Sequence, residues 1–277
     1  MSDLRSRVLT GALFGLTMIS INWLPIWGVV SFFGLLVALS SIEFSKLLNQ
    51  IANVSVDVVF SCFSALLFYV VLSLSKFLDI AFPLYFTLIL VFFILLLFEL
   101  WRNIGNALLN VSGFVLHIFY CVVPYYLMMD LVVFSSKNQF NFPLFLGLLL
   151  IIWLNDTMAY FVGRYFGKNL IFKRISPKKT WEGTFGGILF GLIGAFIISQ
   201  INNEMPIAFW IISALLILPM SILGDFFESM LKRSAKIKDS GSILPGHGGV
   251  LDRFDSLTFA TPVFYFWVIL FLNYIET

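Results

Sequence analysis

Charged residues are scarce in this chain of 277 residues: Asp, Glu, Lys and Arg make up 12% of it, whereas 60% of the residues are hydrophobic. The mean hydropathy is +0.98. A soluble domain needs a charged surface, so this composition excludes one and indicates a polytopic membrane protein. At roughly 20 residues for each spanning helix, the chain has room for about eight to ten spans.

Cysteine and histidine are also rare, with two residues of each. Cys62 and Cys121 both fall inside predicted spans, where packing is the ordinary role, so neither a disulfide framework nor thiol chemistry is expected. The same scarcity excludes a Cys or multiple-His ligand set for zinc or copper. No cleavable signal is expected, because the first apolar run has no small-residue cleavage site before Trp23.

Long apolar runs predict an all-α integral membrane protein with about nine transmembrane helices. The weakest boundary separates the first two runs, and its loss would leave eight. The runs lie near residues 8–24, 26–42, 54–75, 82–100, 108–133, 143–163, 183–201, 206–224 and 257–275.

The distribution of basic residues predicts the orientation of these helices, since cytoplasmic loops hold an excess of Lys and Arg. With the N-terminus in the cytoplasm and the C-terminus on the opposite side, only Lys76 and Lys137 of the 17 basic residues lie outside. Two inside loops hold eleven of the 17. Such loops suit an anionic ligand or the anionic surface of the inner leaflet.

The chain divides functionally near residue 140. Ionisable residues are sparse before this point, and the first part is predicted to be a transmembrane scaffold of about five helices. The second part is predicted to be a catalytic half of about four helices with two cytoplasmic loops. The two parts are residues 1–140 and 141–277, and the loops are residues 164–182 and 225–256.

Two acidic residues of the first part are each followed by a basic residue three positions later: Glu43 by Lys46, and Glu99 by Arg102. Residues three apart are neighbours on a helix surface, so local ion pairing at a helix end is the simplest interpretation of both. The alternative, for Glu43 above all, is a role in lining a polar cavity.

The first of three polar groups in the second part centres on Asp156. In a helix, Asp156 shares one face with Tyr160, Gly163 and Gly167, where a neighbouring helix can approach closely. An intramembrane Asp is expected to face a wet cavity or a cation. The alternative is a buried ion pair with a basic residue of a neighbouring span.

The second polar group, residues 173–183, surrounds Lys178 and Lys179. Thr180 could begin the next helix, whose free amide groups and dipole favour an anion. Two lysines at such a helix end would contact a triphosphate or a lipid phosphate, although a cytoplasmic loop also carries lysines without any ligand. Glycines at every fourth position from residue 183 to 191 predict a close helix contact or, alternatively, a subunit contact.

The third polar group contains the strongest chemical pattern. Asp225, Glu228 and Lys232 follow one helical face, and a glycine-rich turn leads to Asp252 and Asp255. Oxygen ligands from two segments, with glycines that let the backbone approach, are what Mg²⁺ bound to substrate phosphates requires. The histidine in the turn is more simply a residue that orders the loop than the base of a Ser-His-Asp hydrolase.

These residues resemble the diagnostic pattern of the phosphatidate cytidylyltransferases, also called CDP-diacylglycerol synthases. The resemblance extends to residues 176–183 and to Asp156, whereas the first 140 residues match in hydropathy and in small features such as Glu43. One departure is Met158, where the family usually has Gly. The matching residues of the third group are Ser229, Lys232, Arg233, Lys238, Asp239, Gly241, Leu244, Pro245, His247, Gly248, Gly249, Asp252, Arg253 and Asp255.

The resemblance implies that a phosphatidate oxygen attacks the α-phosphorus of CTP at the inner membrane surface. The products would be CDP-diacylglycerol and pyrophosphate, and no nucleophile of the enzyme is needed. Catalysis would then come from positioning and charge neutralisation. The protein would accordingly be a nucleotidyltransferase of phospholipid biosynthesis.

The same resemblance implies roles for individual residues, with Mg²⁺ as cofactor and room for a second cation. The implied catalytic residues are Asp225, Asp252, Asp255, Lys232 and Arg253. The implied metal ligands are Asp225, Asp252 and Glu228. The implied substrate-binding residues are Asp156, Ser176, Lys178, Lys179, Arg233, Lys238, Asp239, His247, Gly248 and Gly249. All three polar groups are expected to contribute to one pocket.

The expected partners are CTP, phosphatidic acid, the lipid bilayer and a second copy of the chain, with no nucleic acid. The expected location is a bacterial cytoplasmic membrane, with the active site facing the cytoplasm. Two other classes compete with this interpretation. A lipid kinase would share the Mg²⁺ and phosphate chemistry but transfer only the γ-phosphate. A transporter would also bury acids, although transport sites favour broken helices near the midplane, and these charges gather at one face.

Overall fold

The part of the chain that its computed structural model describes is mainly helical, and it comprises residues 2–77, 82–102, 104–138, 140, 142–243 and 248–276. A short 3-10 helix, Ile21–Trp23, follows the first α-helix. The α-helices are α1 (Ser2–Ser20), α2 (Ile26–Leu48), α3 (Val58–Phe77), α4 (Phe82–Arg102), α5 (Ala107–Cys121), α6 (Val123–Lys137), α7 (Leu144–Phe166), α8 (Trp181–Ile201), α9 (Ile207–Ser234) and α10 (Leu251–Glu276).

Seven helical stretches among the described residues are long and apolar enough to cross a membrane. Helices α5 and α6 together make one of them. The predicted class is therefore confirmed: this is an all-α, multi-pass membrane protein. The number nine and the orientation stay predictions, because α1 and α4 are not among the seven. The stretches are Ile26–Leu48, Val58–Phe77, Ala107–Lys137, Leu144–Phe166, Trp181–Ile201, Ile207–Ser234 and Leu251–Asn273.

Helices α9 and α10 both extend into the segment predicted to be the loop 225–256. Helix α9 continues to Ser234, ten residues beyond the apolar run that ends at residue 224. Neither Gly nor Pro interrupts residues 225–234, so nothing in this segment breaks the helix when the charged residues begin. Helix α10 begins at Leu251, which puts Asp252 in its first turn. The polar residues of the third group thus lie largely on helix ends.

The chain folds as two compact units. Unit 1 consists of Met1–Gly15, Pro25–Met129 and Leu231–Arg253, and unit 2 of Leu16–Leu24, Asp130–Met230 and Phe254–Thr277. The scaffold and catalytic parts are predicted as a division by function. The positions of the helices do not test that division, which stays a prediction.

Helices α2, α3, α4 and α5 of unit 1 pack together. A network of hydrogen-bonded polar side chains lies in the same unit. Arg102 Nη1 donates to Glu99 Oε1 at 2.8 Å, and Arg102 Nη2 donates to Ser55 Oγ at 2.6 Å. Asn110 Nδ2 donates to the second oxygen of Glu99 at 3.1 Å. Buried charges need such partners, and the predicted local pairing of Glu99 with Arg102 is confirmed.

Unit 2 is organised by the close approach of α7 and α8. A Cβ atom at Gly183 would lie 2.7 Å from the carbonyl oxygen of Ala159, and one at Gly187 would lie 2.8 Å from the carbonyl oxygen of Asn155. A Cβ at Gly191 would instead meet Leu218 of α9 at 2.7 Å. The glycine stripe is therefore a helix packing face, as predicted. This packing fixes the two helix ends that border the segment predicted to be the cytoplasmic loop 164–182.

Candidate active site

The segment between α7 and α8 folds back on itself and fixes the position of Lys179. Leu170 and Thr180 form an antiparallel bridge, and Ile171 N donates to the carbonyl oxygen of Lys179 at 3.1 Å. Trp181 N donates to the carbonyl oxygen of Asn169 at 2.9 Å. Because the backbone is hydrogen-bonded on both sides of Lys179, the fold fixes the position from which its side chain extends.

Two side chains at the start of α8 fasten this segment. Thr180 Oγ1 accepts from Gly183 N at 3.2 Å, so Thr180 is the predicted N-cap. Glu182 accepts from Lys168 N at 3.1 Å and from Asn169 Nδ2 at 2.7 Å. Glu182, in the first turn of α8, thus connects α8 to the end of α7.

An ion pair in unit 2 joins this segment to α9. Lys179 Nζ contacts Asp225 Oδ2, and the same ammonium lies 4.8 Å from the ring centroid of Phe226. Ser229 Oγ donates to the other carboxylate oxygen of Asp225 at 3.3 Å. The side chains of Lys179 and Asp225 are 33% and 27% exposed, so both remain accessible to a ligand.

Asp156 of α7 supplies a second carboxylate beside the same ammonium. It interacts electrostatically with Lys179 and Asp225, and it accepts a hydrogen bond from Ser256 of α10. Asn155 Nδ2 donates to Asp156 Oδ1 at 2.9 Å, and the Asp156 side chain is exposed. We call Asp156, Lys179, Asp225 and Ser256 the Asp225 cluster. It brings one cation, two accessible acids and a serine together from three helices and a loop.

A glycine allows α9 and α10 to approach each other next to this cluster. A Cβ atom at Gly224 would lie 2.5 Å from the carbonyl oxygen of Asp255, so a larger residue would push the helices apart. Asp255 Oδ1 accepts from Ser256 N at 2.7 Å. The close crossing places the start of α10 beside the turn of α9 that carries Asp225.

A second cluster lies in unit 1, around Asp252. Lys232 Nζ contacts Asp252 Oδ1 at 2.6 Å, and the two side chains are only 11% and 7% exposed. Asp252 Oδ2 accepts from Ser240 N at 2.9 Å, from Ser240 Oγ at 3.0 Å and from Gly249 N at 2.8 Å. We call Lys232, Ser240, Gly249 and Asp252 the Asp252 cluster.

Gly248 shows why this turn needs glycine. Its φ is +84°, in the left-handed region that other residues rarely adopt, and a Cβ there would lie 2.6 Å from Asp252 Oδ2. A side chain at this position would therefore both strain the backbone and displace the carboxylate.

A sequence profile of the cytidylyltransferase family matches residues 5–271. The chain belongs to the cytidylyltransferase family. A protein named phosphatidate cytidylyltransferase from Haemophilus influenzae is 44% identical to it over 134 residues, which are 46% of each chain. One of the same name from Bacillus subtilis is 45% identical over 139 residues, 49% of this chain and 51% of the relative. A third, from Pseudomonas aeruginosa, is 43% identical over 123 residues, 44% of this chain and 45% of the relative. The chain spans about half the length of the relatives it matches.

Cytidylyltransferases generally depend on a divalent cation, and the Asp225 cluster fits one. Within the described residues no group of three or more His, Cys, Asp or Glu is placed to hold a metal ion. Mg²⁺ does not need one, because it is usually bound by one or two carboxylates, water and substrate phosphates. Asp225 and Asp156 are two such carboxylates, both accessible, and the ammonium of Lys179, which contacts Asp225, would have to move for a cation to bind.

The Asp252 cluster is less accessible to a cation. One carboxylate oxygen of Asp252 contacts Lys232, and the other accepts three hydrogen bonds. A cation would have to displace one of these partners. Asp252 and Glu228, which is buried with 1% exposure, therefore stay predictions as metal ligands.

The remaining predicted site residues lie on the two loops and helix ends. Arg233 Nη1 donates to the carbonyl oxygen of Ile237 at 3.0 Å, which closes the end of α9. Ser176 is half-buried. His247 lies outside the described residues. The exposed members are Lys178, Arg233, Lys238, Asp239 and Arg253.

Proposed function

We propose that this member of the cytidylyltransferase family joins CTP to phosphatidic acid, giving CDP-diacylglycerol and pyrophosphate. The observation that carries the proposal is the Asp225 cluster, in which an accessible ammonium lies beside two accessible carboxylates in a membrane protein. Relatives that carry the name phosphatidate cytidylyltransferase support it.

In the proposed reaction an oxygen of the phosphatidate phosphate forms a bond to the α-phosphorus of CTP. The bond from that phosphorus to the bridging oxygen of the β-phosphate breaks, and pyrophosphate leaves with the bonding electrons. No covalent enzyme intermediate is required. Protein groups therefore need to hold the two phosphates in line and to balance their negative charge.

The residues of the Asp225 cluster would do both. Lys179 would turn from Asp225 to a phosphate oxygen while its ammonium stays near the ring of Phe226. Asp225 and Asp156 would hold Mg²⁺. When bound, Mg²⁺ would supply charge neutralisation for the phosphates of CTP. Lys232 and the exposed Arg253 stay predictions as further basic residues that act on substrate phosphate.

The location and assembly are part of the proposal. The protein would act in a bacterial cytoplasmic membrane, with the site open to the cytoplasm, where CTP is available. The homodimer and the second cation stay predictions.

The test is a reconstitution with the purified protein. Vesicles containing phosphatidic acid, Mg²⁺ and CTP labelled in the cytidine ring should yield labelled lipid, and omission of phosphatidic acid should abolish the product. Lipid without cytidine label but with new phosphate would instead indicate a lipid kinase. Movement of a solute into the vesicles without any labelled lipid would indicate a transporter.

Lys179→Ala should weaken substrate binding. Loss of a charge-assisted contact with phosphate is expected to raise KM for CTP or for phosphatidic acid by about tenfold or more. The control is Lys173→Ala, which removes an exposed lysine from the same loop. Initial rates over a range of both substrates measure the effect. Unchanged KM values for both substrates in Lys179→Ala would reduce Lys179 to a membrane-surface anchor.

A further inference from the structure

Glu43 is a buried acid of α2 that the proposed reaction does not use. It is 3% exposed. Its Oε1 accepts from Val250 N and its Oε2 from Leu251 N, each at 3.0 Å. Ser240 Oγ, whose proton is closer to Asp252, lies 3.5 Å from Glu43 Oε2. The partners of Glu43 thus lie about 200 residues further along the chain, in the part of unit 1 that carries the Asp252 cluster.

These contacts make Glu43 a cap for α10. The helix begins at Leu251, and the first amide groups of a helix have no partner within it. A carboxylate is favoured there by hydrogen bonding and by the helix dipole. Burial of a carboxylate is costly unless such donors satisfy it, so Glu43 and the start of α10 depend on each other.

The position of Glu43 explains why residues 241 and 249 are glycines. A Cβ atom at Gly241 would lie 2.8 Å from Glu43 Cδ, and one at Gly249 would lie 2.5 Å from Glu43 Oε2. Real Cβ atoms do not approach other atoms this closely. The backbone on both sides of the turn is therefore packed directly against this carboxylate.

Ser240 links Glu43 to the Asp252 cluster. Its hydroxyl lies 3.5 Å from Glu43 Oε2 and 3.0 Å from Asp252 Oδ2, and its amide donates to Asp252 at 2.9 Å. Glu43 and Asp252 consequently hold the same short segment, one from α2 and the other from the first turn of α10.

We infer that Glu43 is a positioning residue for the Asp252 cluster. It fixes Ser240, Gly249 and the first turn of α10, and through them it sets where Asp252 and Lys232 point. The inference rests on the proposed function, because only there does Lys232 act on substrate. The simpler interpretation of Glu43, a local pair with Lys46, assigns it no such role.

The test combines Glu43→Gln with hydrogen exchange. Glutamine keeps the shape of the side chain but turns one acceptor oxygen into a donor that faces a backbone N–H. Amide exchange of the peptide containing Gly249–Leu251 should rise about tenfold or more, because a hydrogen bond to a charged group is lost. In the same variant, kcat for cytidine incorporation should fall by about tenfold while Tm stays unchanged. A residue that only stabilises the fold would not lower kcat without also lowering Tm.

Two further variants keep the test decisive. Lys46→Met removes the exposed neighbour and should behave like the wild type. Gly241→Ala leaves Glu43 intact but displaces its carboxylate, and it should reproduce the increased exchange at Gly249–Leu251. This second variant applies even if Glu43→Gln fails to fold.

The outcomes separate the inference from the proposed function. Unchanged exchange in both Glu43→Gln and Gly241→Ala would overturn the inference, as would an equal effect of Lys46→Met. Increased exchange with unaltered cytidine incorporation would also overturn it. A wild-type protein that incorporates no cytidine would refute the proposed function, and the exchange measurement would still report whether Glu43 holds the segment.

Discussion

Asp225→Asn is expected to lower kcat by about 10²–10³-fold, the usual cost of removing one electrostatic stabiliser from an active site. The carboxylate is the partner of Lys179, and with Asp156 it forms the accessible pair of acids proposed to hold Mg²⁺. A neutral amide would lose the charge that both tasks need. The effect should be on turnover, because Asp225 is 27% exposed and its substitution leaves no fully buried charge behind.

The comparison for this variant is Glu204→Gln, an exposed acid of the same unit changed in the same way. It should retain wild-type turnover. The Mg²⁺ concentration that gives half-maximal activity should rise in Asp225→Asn and stay constant in Glu204→Gln. A folded Asp225→Asn protein with near-normal turnover would exclude Asp225 as a metal ligand and as a catalytic residue.

Lys232→Met is expected to cost about 3–5 kcal/mol of stability, because it leaves the acid of a buried ion pair without its cation. Asp252 is 7% exposed in its side chain and lies at 2.6 Å from the ammonium. The substitution also removes a positive charge proposed to act on substrate phosphate. Stability and turnover should therefore both fall, for two separable reasons.

The double variant Lys232→Met with Asp252→Asn separates those reasons. It removes both charges, so most of the lost stability should return, whereas turnover should stay at least about 10²-fold below the wild type. Thermal unfolding in detergent and cytidine incorporation measure the two quantities. Recovery of turnover together with stability would show that the Asp252 cluster is structural and not part of the proposed chemistry.

Local sequence features predict the parts of this molecule that depend on local physics. Apolar runs predict the spanning helices, because a helix satisfies its own backbone in lipid. Thr180 predicts the start of α8, and the glycine spacing predicts the contact of α8 with its neighbours. Charged residues in an apolar chain indicate where to look for chemistry, and Asp156, Lys179 and Asp225 do lie together.

The sequence does not show which residues far apart in the chain contact each other. Lys179 and Asp225 are 46 positions apart, and nothing in their own segments specifies that they pair. Glu43 is the clearest case, since its nearest charged neighbour in sequence suggests a local ion pair. The structure directs its carboxylate to amides 207 and 208 positions away instead. Hydropathy also ends α9 too early, because charged residues outside the apolar run remain good helix formers.

The most direct test follows each phosphate of CTP. Purified protein, Mg²⁺ and vesicles of phosphatidic acid would be incubated in parallel with CTP labelled at the α-phosphate and at the γ-phosphate. Direct attack at the α-phosphorus predicts α-label in the lipid, γ-label in released pyrophosphate, and one pyrophosphate for each cytidine incorporated. Label from the γ-phosphate in the lipid, with CDP as the soluble product, would contradict the account.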